Sequence, residues 1–214
     1  MTTHTEALEF LDTLIAKDKE LADMDIKSPV VYIPSFLNKS EADQYYNHFL
    51  NIEWDERTPA RREAFYSTVG KDYTYGAGEF ARTYTPRSMH DDVNIIHLSN
   101  KSYLAYTEAN FKPFELCFLN RYENEKQQLG WHADDDTAID HSRPIAVISL
   151  GAEREIYVKP IGGKDSEKEK IRLAHGSLLL MLPGMQQTHV HRIPKNDRPC
   201  GPRISLTYRG YNGT

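Results

Sequence analysis

From residue 114 onward the chain is a series of short apolar runs, each stopped by a turn. Phe114–Tyr122, Pro144–Leu150, Glu155–Lys159, Ile171–Leu173, Leu178–Leu182, Val190–Ile193 and Ile204–Tyr208 read as strands, with His175-Gly176-Ser177 turning the chain between two of them. Short strands at close spacing, divided by Gly and Pro, predict a barrel or jelly roll. The last run says most. Side chains alternate along a strand, so Arg203, Ser205, Thr207 and Arg209 share a polar face, backed by Ile204, Leu206 and Tyr208. The anchor points of the two arginines lie roughly 20 Å apart at ~3.3 Å per residue. Guanidinium forks match carboxylates, so one reading is a small dicarboxylate held between two leaning arms. The other is an exposed edge strand with two solvated arginines.

The first half reads differently. Leu8, Leu11 and Ile15 recur at helical spacing within residues 5–16, which predicts an amphipathic N-terminal cover. Val30–Ile33 reads as a strand ended by Pro34. Asn38-Lys39-Ser40-Glu41 is a capping box opening a helix through Leu50, with Ala42, Tyr45, Tyr46 and Phe49 inward. A second helix spans Asp91–Tyr106, carrying Val93, Ile96, Tyr103 and Leu104. Residues 54–88 interleave aromatic and basic side chains, among them Trp54, Arg57, Arg61, Arg62, Tyr66, Tyr73, Tyr75, Phe80 and Tyr84. Such a mixture either grips phosphates and stacks bases or is a β-region with an aromatic core.

Composition narrows the class. With 214 residues, a single domain is expected. The formal charge of −5 gives no general attraction to nucleic acid, so phosphate binding needs a local basic patch. Cys117 and Cys200 are the only cysteines, in settings that suit neither a disulfide nor a cysteine zinc site. An intracellular, cytoplasmic location is therefore expected, or a nuclear one in a eukaryote. The N-terminus lacks a signal peptide's charge order, and no run approaches membrane-spanning length. The charged loop Gly162–Lys170 reads as solvated.

His132-Ala133-Asp134 places an imidazole and a carboxylate on one face of an extended segment, and His189 or His191 offers a third ligand. Two histidines and a carboxylate with positions left open form the facial triad of non-haem Fe(II) oxygenases. At this point a resemblance is plain. Asn120-Arg121-Tyr122, Trp131-His132-Ala133-Asp134-Asp135-Asp136, His175-Gly176-Ser177-Leu178-Leu179, His191-Arg192-Ile193-Pro194 and Pro202 through Arg209 resemble, in order, the AlkB family. Its members are Fe(II)/2-oxoglutarate dioxygenases that repair alkylated nucleic acid. Pro59-Ala60-Arg61-Arg62 and Tyr73-Thr74-Tyr75-Gly76 resemble, more loosely, that family's nucleotide-recognition lid.

The resemblance implies an α+β fold: a double-stranded β-helix, or jelly roll, over 114–210, with N-terminal helices packed on the sheet and the lid within 1–113. It implies Fe(II) held by His132, Asp134 and His191, the last chosen over His189 because it directly precedes Arg-Ile-Pro. 2-Oxoglutarate would meet Asn120 and Tyr122, with Arg203 and Arg209 on its carboxylates and Thr207 assisting; which arginine meets which end stays open. O2 is the remaining cosubstrate. Asp135 and Asp136 match acidic positions bordering the target base, the alternative being a hydrated loop or support for His132. Tyr73 and Tyr75 match the pocket lining, and Tyr66 is a further stacking residue. Arg62, with Arg57, Arg61, Lys195 and Arg198, is assigned to phosphates. Ser205 stands where the family usually has Asn, and Asp136 where it often has Glu.

The implied reaction is oxidative demethylation of bases such as N1-methyladenine and N3-methylcytosine in DNA or RNA, single-stranded or in locally opened duplex. It releases formaldehyde, succinate and CO2, and the protein is expected to act as a monomer. These bases are cationic, so Asp135 and Asp136 would favour them by Coulomb attraction. The alternatives are an oxygenase for a protein, a lipid or an unmodified base, and a non-catalytic jelly-roll binding module.

Overall fold

The computed structural model describes residues 26–75, 81–106 and 112–213, apart from the side chain of Tyr75. The helix expected over 5–16, and Gly76 and Phe80 of the lid segment, lie outside the described residues. Val30–Ile33 forms β1 and stops before Pro34. Asn38 then caps Lys39–Leu50 (α1): its side chain accepts from the Glu41 N–H, while the Glu41 carboxylate accepts from the Asn38 N–H. Ala42, Tyr45 and Phe49 are buried, and half-buried Tyr46 donates its hydroxyl to the Pro202 carbonyl.

Four short strands follow, β2 (Arg62–Ser67), β3 (Tyr73–Tyr75), β4 (Arg82–Tyr84) and β5 (Arg87–Ser88). The second helix, α2, runs Val93–Leu104 with Asp92 as its cap. It buries Ile95, Leu98, Ser99 and Ser102; of the apolar residues noted in the sequence, Ile96 and Tyr103 pack half-buried against the same core, while Val93 is 74% exposed and Leu104 49%. A 3-10 turn at Met89–Asp91 buries Met89 ahead of the cap and fixes the phase at which the helix starts.

The remaining strands are β6 (Leu116–Tyr122), β7 (Leu129–His132), β8 (Ile145–Gly151), β9 (Arg154–Pro160), β10 (Glu169–Leu173), β11 (Ser177–Met181), β12 (His189–Ile193) and β13 (Arg203–Arg209), with a single helical turn, α3 (Met185–Thr188), before β12. Seven of the strands form one sheet in the order β1-β11-β8-β13-β6-β2-β5, and four form a second in the order β10-β9-β12-β7. β3 and β4 make a separate hairpin. The segment 162–170 is not only loop, since its end opens β10. Gly176 turns the chain into β11 at φ +83°, where a Cβ would also press on the Leu37 carbonyl at 3.1 Å.

Period-2 alternation sorts the large sheet into two faces. Ala64, Tyr66, Leu119, Ile148, Leu180 and Leu206 join Phe49, Ile95 and Leu98 in the core beneath the helices. The opposite face, with Tyr122, Val147 and Leu179, packs against Ile156, Val158, Ile171 and Ile193 of the small sheet. Each fully buried Leu, Ile or Phe contributes ~1.5–3 kcal/mol, so these two layers account for most of the driving force. β13 is central, paired with β6 and β8, and only Arg209 along it is not buried. The edge-strand reading therefore falls. What the sequence shows as a polar strand face is the inner wall of the jelly roll.

Candidate metal and cosubstrate site

Register brings polar residues into one row across that inner wall. Ser177 pairs with Ser149, Ser149 with Ser205, Ser205 with Asn120 and Asn120 with Glu63. All five are buried. Facing them, His191 on β12 pairs with His132 on β7. Their rings lie 4.2 Å apart between centroids, and His132 Nε2 is 3.7 Å from Asp134 Oδ1. One ligand atom from each of His132, Asp134 and His191 lies within 4.8 Å of the others, a gap that a first-row ion at ~2.0–2.2 Å from each ligand fills. His189 shares the face of β12, but its Nδ1 meets Thr188 Oγ1 at 2.8 Å.

Two of the donors, His191 and Asp134, are in the protonation states a metal requires. Burial pushes the His191 imidazole down to about 3, with His132 adding to the shift and Asp134 opposing it, so the ring is neutral. Burial alone would raise the Asp134 carboxyl. The Arg209 guanidinium, with the neighbouring His132 and His191, outweighs it and holds the group well below its ordinary range. Arg209 Nε and Nη2 both reach Asp134 Oδ2, at 3.0 and 2.6 Å. Behind the ligand, the amide oxygen of buried Gln186 accepts the Asp134 N–H at 2.9 Å, and His132 Nδ1 meets the Gly130 carbonyl at 2.9 Å. Nothing in the sequence pattern marked Gln186; it acts through a backbone group that only the fold brings near.

Arg203 is the other pole. It is 1% exposed, and burial pushes it down to about 10. Nη2 donates to Ser149 Oγ at 2.8 Å and the guanidinium lies 5.5 Å from the Tyr122 ring, but Nε and Nη1 have no hydrogen-bond partner among the described residues. A neutral hydrogen bond and one cation–π contact contribute only ~1–2 kcal/mol each, against several kcal/mol for a buried unpaired ion. The surroundings are thus arranged for an anion. The cavity holding Arg203, Arg209 and the triad is also lined by Asn120, Tyr122, Ser205 and Thr207, with about 400 Å³ of empty space.

A second cavity of about 350 Å³ opens on His132, Asp134 and Arg209 and is lined by Arg61, Tyr73, Tyr84, Phe118, Asn120 and Leu129. Tyr73, matched in sequence to a pocket-lining segment, lines this cavity. Arg61 is not at the surface: it is buried, donates Nε–H to Asn120 Oδ1 at 2.8 Å and pairs with Glu63 at 2.6 Å. The same Glu63 accepts the Tyr84 hydroxyl at 2.7 Å. Glu63, Tyr84 and Phe118 were not singled out as site residues, although Glu63 and Phe65 alternate along β2 on the face that meets the pocket.

Other assigned residues fall elsewhere. Tyr66 is 5% exposed in the core beneath the helices, on the opposite face of β2, with Arg87 near its ring. Arg62 shares that far face and is paired to Glu56 and Glu123. β2 belongs to the large sheet, and strand alternation sends its even-numbered side chains away from the pocket. Asp136 folds back on its own turn, accepting the Ala138 N–H at 2.8 Å, and Asp135 is exposed. Neither lines the two cavities. Tyr75 ends β3 opposite Arg82.

Residues 29–209 match the 2OG-Fe(II) oxygenase superfamily model, and the chain belongs to that superfamily. Its relatives bear out the resemblance to the AlkB family. The chain is 31% identical over 194 residues to the Bos taurus alpha-ketoglutarate-dependent dioxygenase alkB homolog 3, covering 85% of this chain and 66% of that protein. It is 29% identical over 158 residues to the Mus musculus DNA oxidative demethylase ALKBH2, covering 70% of this chain and 61% of the relative. The chain thus spans somewhat under two thirds of the length of these relatives. The structure of OsALKBH1 superposes with a TM-score of 0.60 at 16% identity, over 87% of this chain and all of that one, which shows a shared fold.

Proposed function

We propose that the protein is an Fe(II)/2-oxoglutarate-dependent dioxygenase that demethylates N-alkylated bases, such as N1-methyladenine and N3-methylcytosine, in DNA or RNA. The observation that supports this reading is the adjacency of the two cavities: an aromatic-walled pocket shares His132, Asp134 and Arg209 with the anion-ready chamber. His132, Asp134 and His191 would hold the iron, which when bound couples decarboxylation of 2-oxoglutarate to activation of O2. Everything else is done by the chain's own residues.

Arg203, with two free N–H donors, takes the distal carboxylate of 2-oxoglutarate. Arg209, already on Asp134, takes the end nearer the metal. Because Arg61 occupies Asn120 Oδ1, the amide nitrogen of Asn120 is left to donate, and Tyr122 and Thr207 close the chamber. A base leaving its stack enters between Tyr73, Tyr84 and Phe118, where ring contact excludes water and aims its methyl group toward His132 and Asp134. The exposed Asp135 carboxylate attracts the cationic lesion. Since Tyr66 and Arg62 face away, base lining passes from Tyr66 to Tyr84 and Phe118. No helix among the described residues is long and apolar enough to cross a membrane.

Succinate and formaldehyde release with methylated against unmethylated oligonucleotide tests the reading. Turnover should require the methylated strand, vanish in His132→Ala and His191→Ala, and survive in His189→Ala with iron binding mostly intact. Equal succinate release with or without N-methylated base would reject demethylation. Equal loss of iron in the His189 and His191 variants would reject the ligand choice.

A further inference from the structure

The outer face of the four-stranded sheet carries a ladder of alternating cations and rings that the proposed chemistry does not use. Register sets Lys170 of β10 beside Tyr157 of β9, and Tyr157 beside Arg192 of β12. Trp131 of the edge strand β7 comes next, its ring 5.0 Å from the Arg192 guanidinium. The row takes one residue from each strand and spans about 14 Å, three spacings of ~4.8 Å. Arg192 lies 5.2 Å from the Tyr157 ring, Lys170 at 5.2 Å, Lys168 at 5.4 Å, and Lys159 is 4.9 Å from the Trp131 ring.

Two features separate this ladder from an ordinary solvated sheet. Arg192 makes no ion pair among the described residues; its guanidinium lies beside the Trp131 and Tyr157 rings, and its buried Nε has no hydrogen-bond partner among the described residues. Acidic groups on the same face neutralise it only in part: Asp165 is paired with Lys168 and also feels Arg192 and Lys159, Glu155 accepts the Tyr157 hydroxyl, and Glu153 is taken by Arg172, which leaves four cations at 159, 168, 170 and 192 against two carboxylates. The chain as a whole carries −5, so a local cationic surplus of two on one face stands out.

We propose that this face binds single-stranded DNA, as a track that delivers the substrate strand to the pocket. A phosphate backbone meets Lys170, Lys159 and Arg192, while bases stack on the outer sides of Tyr157 and Trp131. The ladder ends at the edge where Trp131 points out and its neighbour His132 points in, so a strand rounding β7 reaches the metal side. The surface rests on the proposed demethylation only for the identity of the strand, and its test is independent of turnover.

Binding of fluorescein-labelled, unmodified dT15 to the full chain is measured by anisotropy across a salt series. In Lys170→Glu the dissociation constant should rise about tenfold and the slope of log K against log salt should shrink by ~0.7 or more. Tyr157→Ser should weaken binding about tenfold with little change in slope, since stacking is lost and charge is not. In a Trp54→Phe background, dT15 should quench the remaining Trp131 emission. Unchanged affinity and slope in Lys170→Glu, absence of quenching, or equal binding of a polyglutamate of the same length would each overturn the track. Demethylation intact with ladder-independent binding sinks the track alone; ladder-dependent binding without demethylation sinks the proposed function alone.

Discussion

Arg203 and His191 show how single side chains carry the site. Arg203 is buried beside one serine and one ring, with two donors unmet. Arg203→Ala should raise the dissociation constant of 2-oxoglutarate by tenfold or more, equivalent to ~1.5–3 kcal/mol for hydrogen bonds to a charged group. Isothermal titration with iron present checks this, and an unchanged constant would take the distal carboxylate away from Arg203. His191 carries a pH dependence. An unfolded imidazole takes a proton near pH 6.5, whereas the buried one does so only at about 3. Between those values the unfolded chain binds more protons, so this stability is whole above pH 6.5 and is lost as pH falls toward 3. The melting temperature of iron-free protein should drop through that window, and His191→Asn should flatten the drop. An identical slope in the two proteins would show that other groups govern it.

Among elements, the β3–β4 hairpin supplies two rings, Tyr73 and Tyr84, to the pocket proposed for substrate. It sits on Phe65 and Phe118 and is tied to the large sheet by the Tyr84 hydroxyl on Glu63, with Arg82 3.6 Å from the same carboxylate. The Arg61–Glu63 pair links this anchor to Asn120 at the cosubstrate chamber. Tyr84→Phe removes one hydrogen bond, worth ~1 kcal/mol, without removing the ring. It should raise KM for methylated oligonucleotide about fivefold and leave KM for 2-oxoglutarate alone. Equal changes in both would mean that the hairpin does not act separately from the chamber. The element boundaries themselves were largely legible. Asn38 and Glu41 announce α1, and alternation in 203–209 announces β13. β7 was not read as a strand, because Leu129-Gly130-Trp131-His132 is too short to show a period and pairs only through a bulge with β12.

At the scale of the whole molecule, the two faces of the large sheet separate stability from chemistry. Phe49 is fully buried on the helix side, remote from the triad. Phe49→Ala should destabilise the protein by ~3–5 kcal/mol in denaturant unfolding while the folded protein keeps its iron affinity. A parallel loss of iron affinity would show that the faces are not independent. By itself the sequence pointed to a barrel or jelly roll, to the pair His132 and Asp134 with a third ligand at His189 or His191, and to the paired arginines, since spacing and alternation are local; the family resemblance is what singled out His191. Only the tertiary structure decided which residues line the aromatic-walled pocket beside the triad. Tyr66 and Tyr84 are equally aromatic in sequence, yet β2 belongs to the large sheet and turns Tyr66 under the helices, while β4 turns Tyr84 over the pocket. The same holds for Arg61, Glu63, Gln186 and Arg192. Their roles depend on partners far along the chain, and which groups meet across a sheet is set by register, which no single segment encodes.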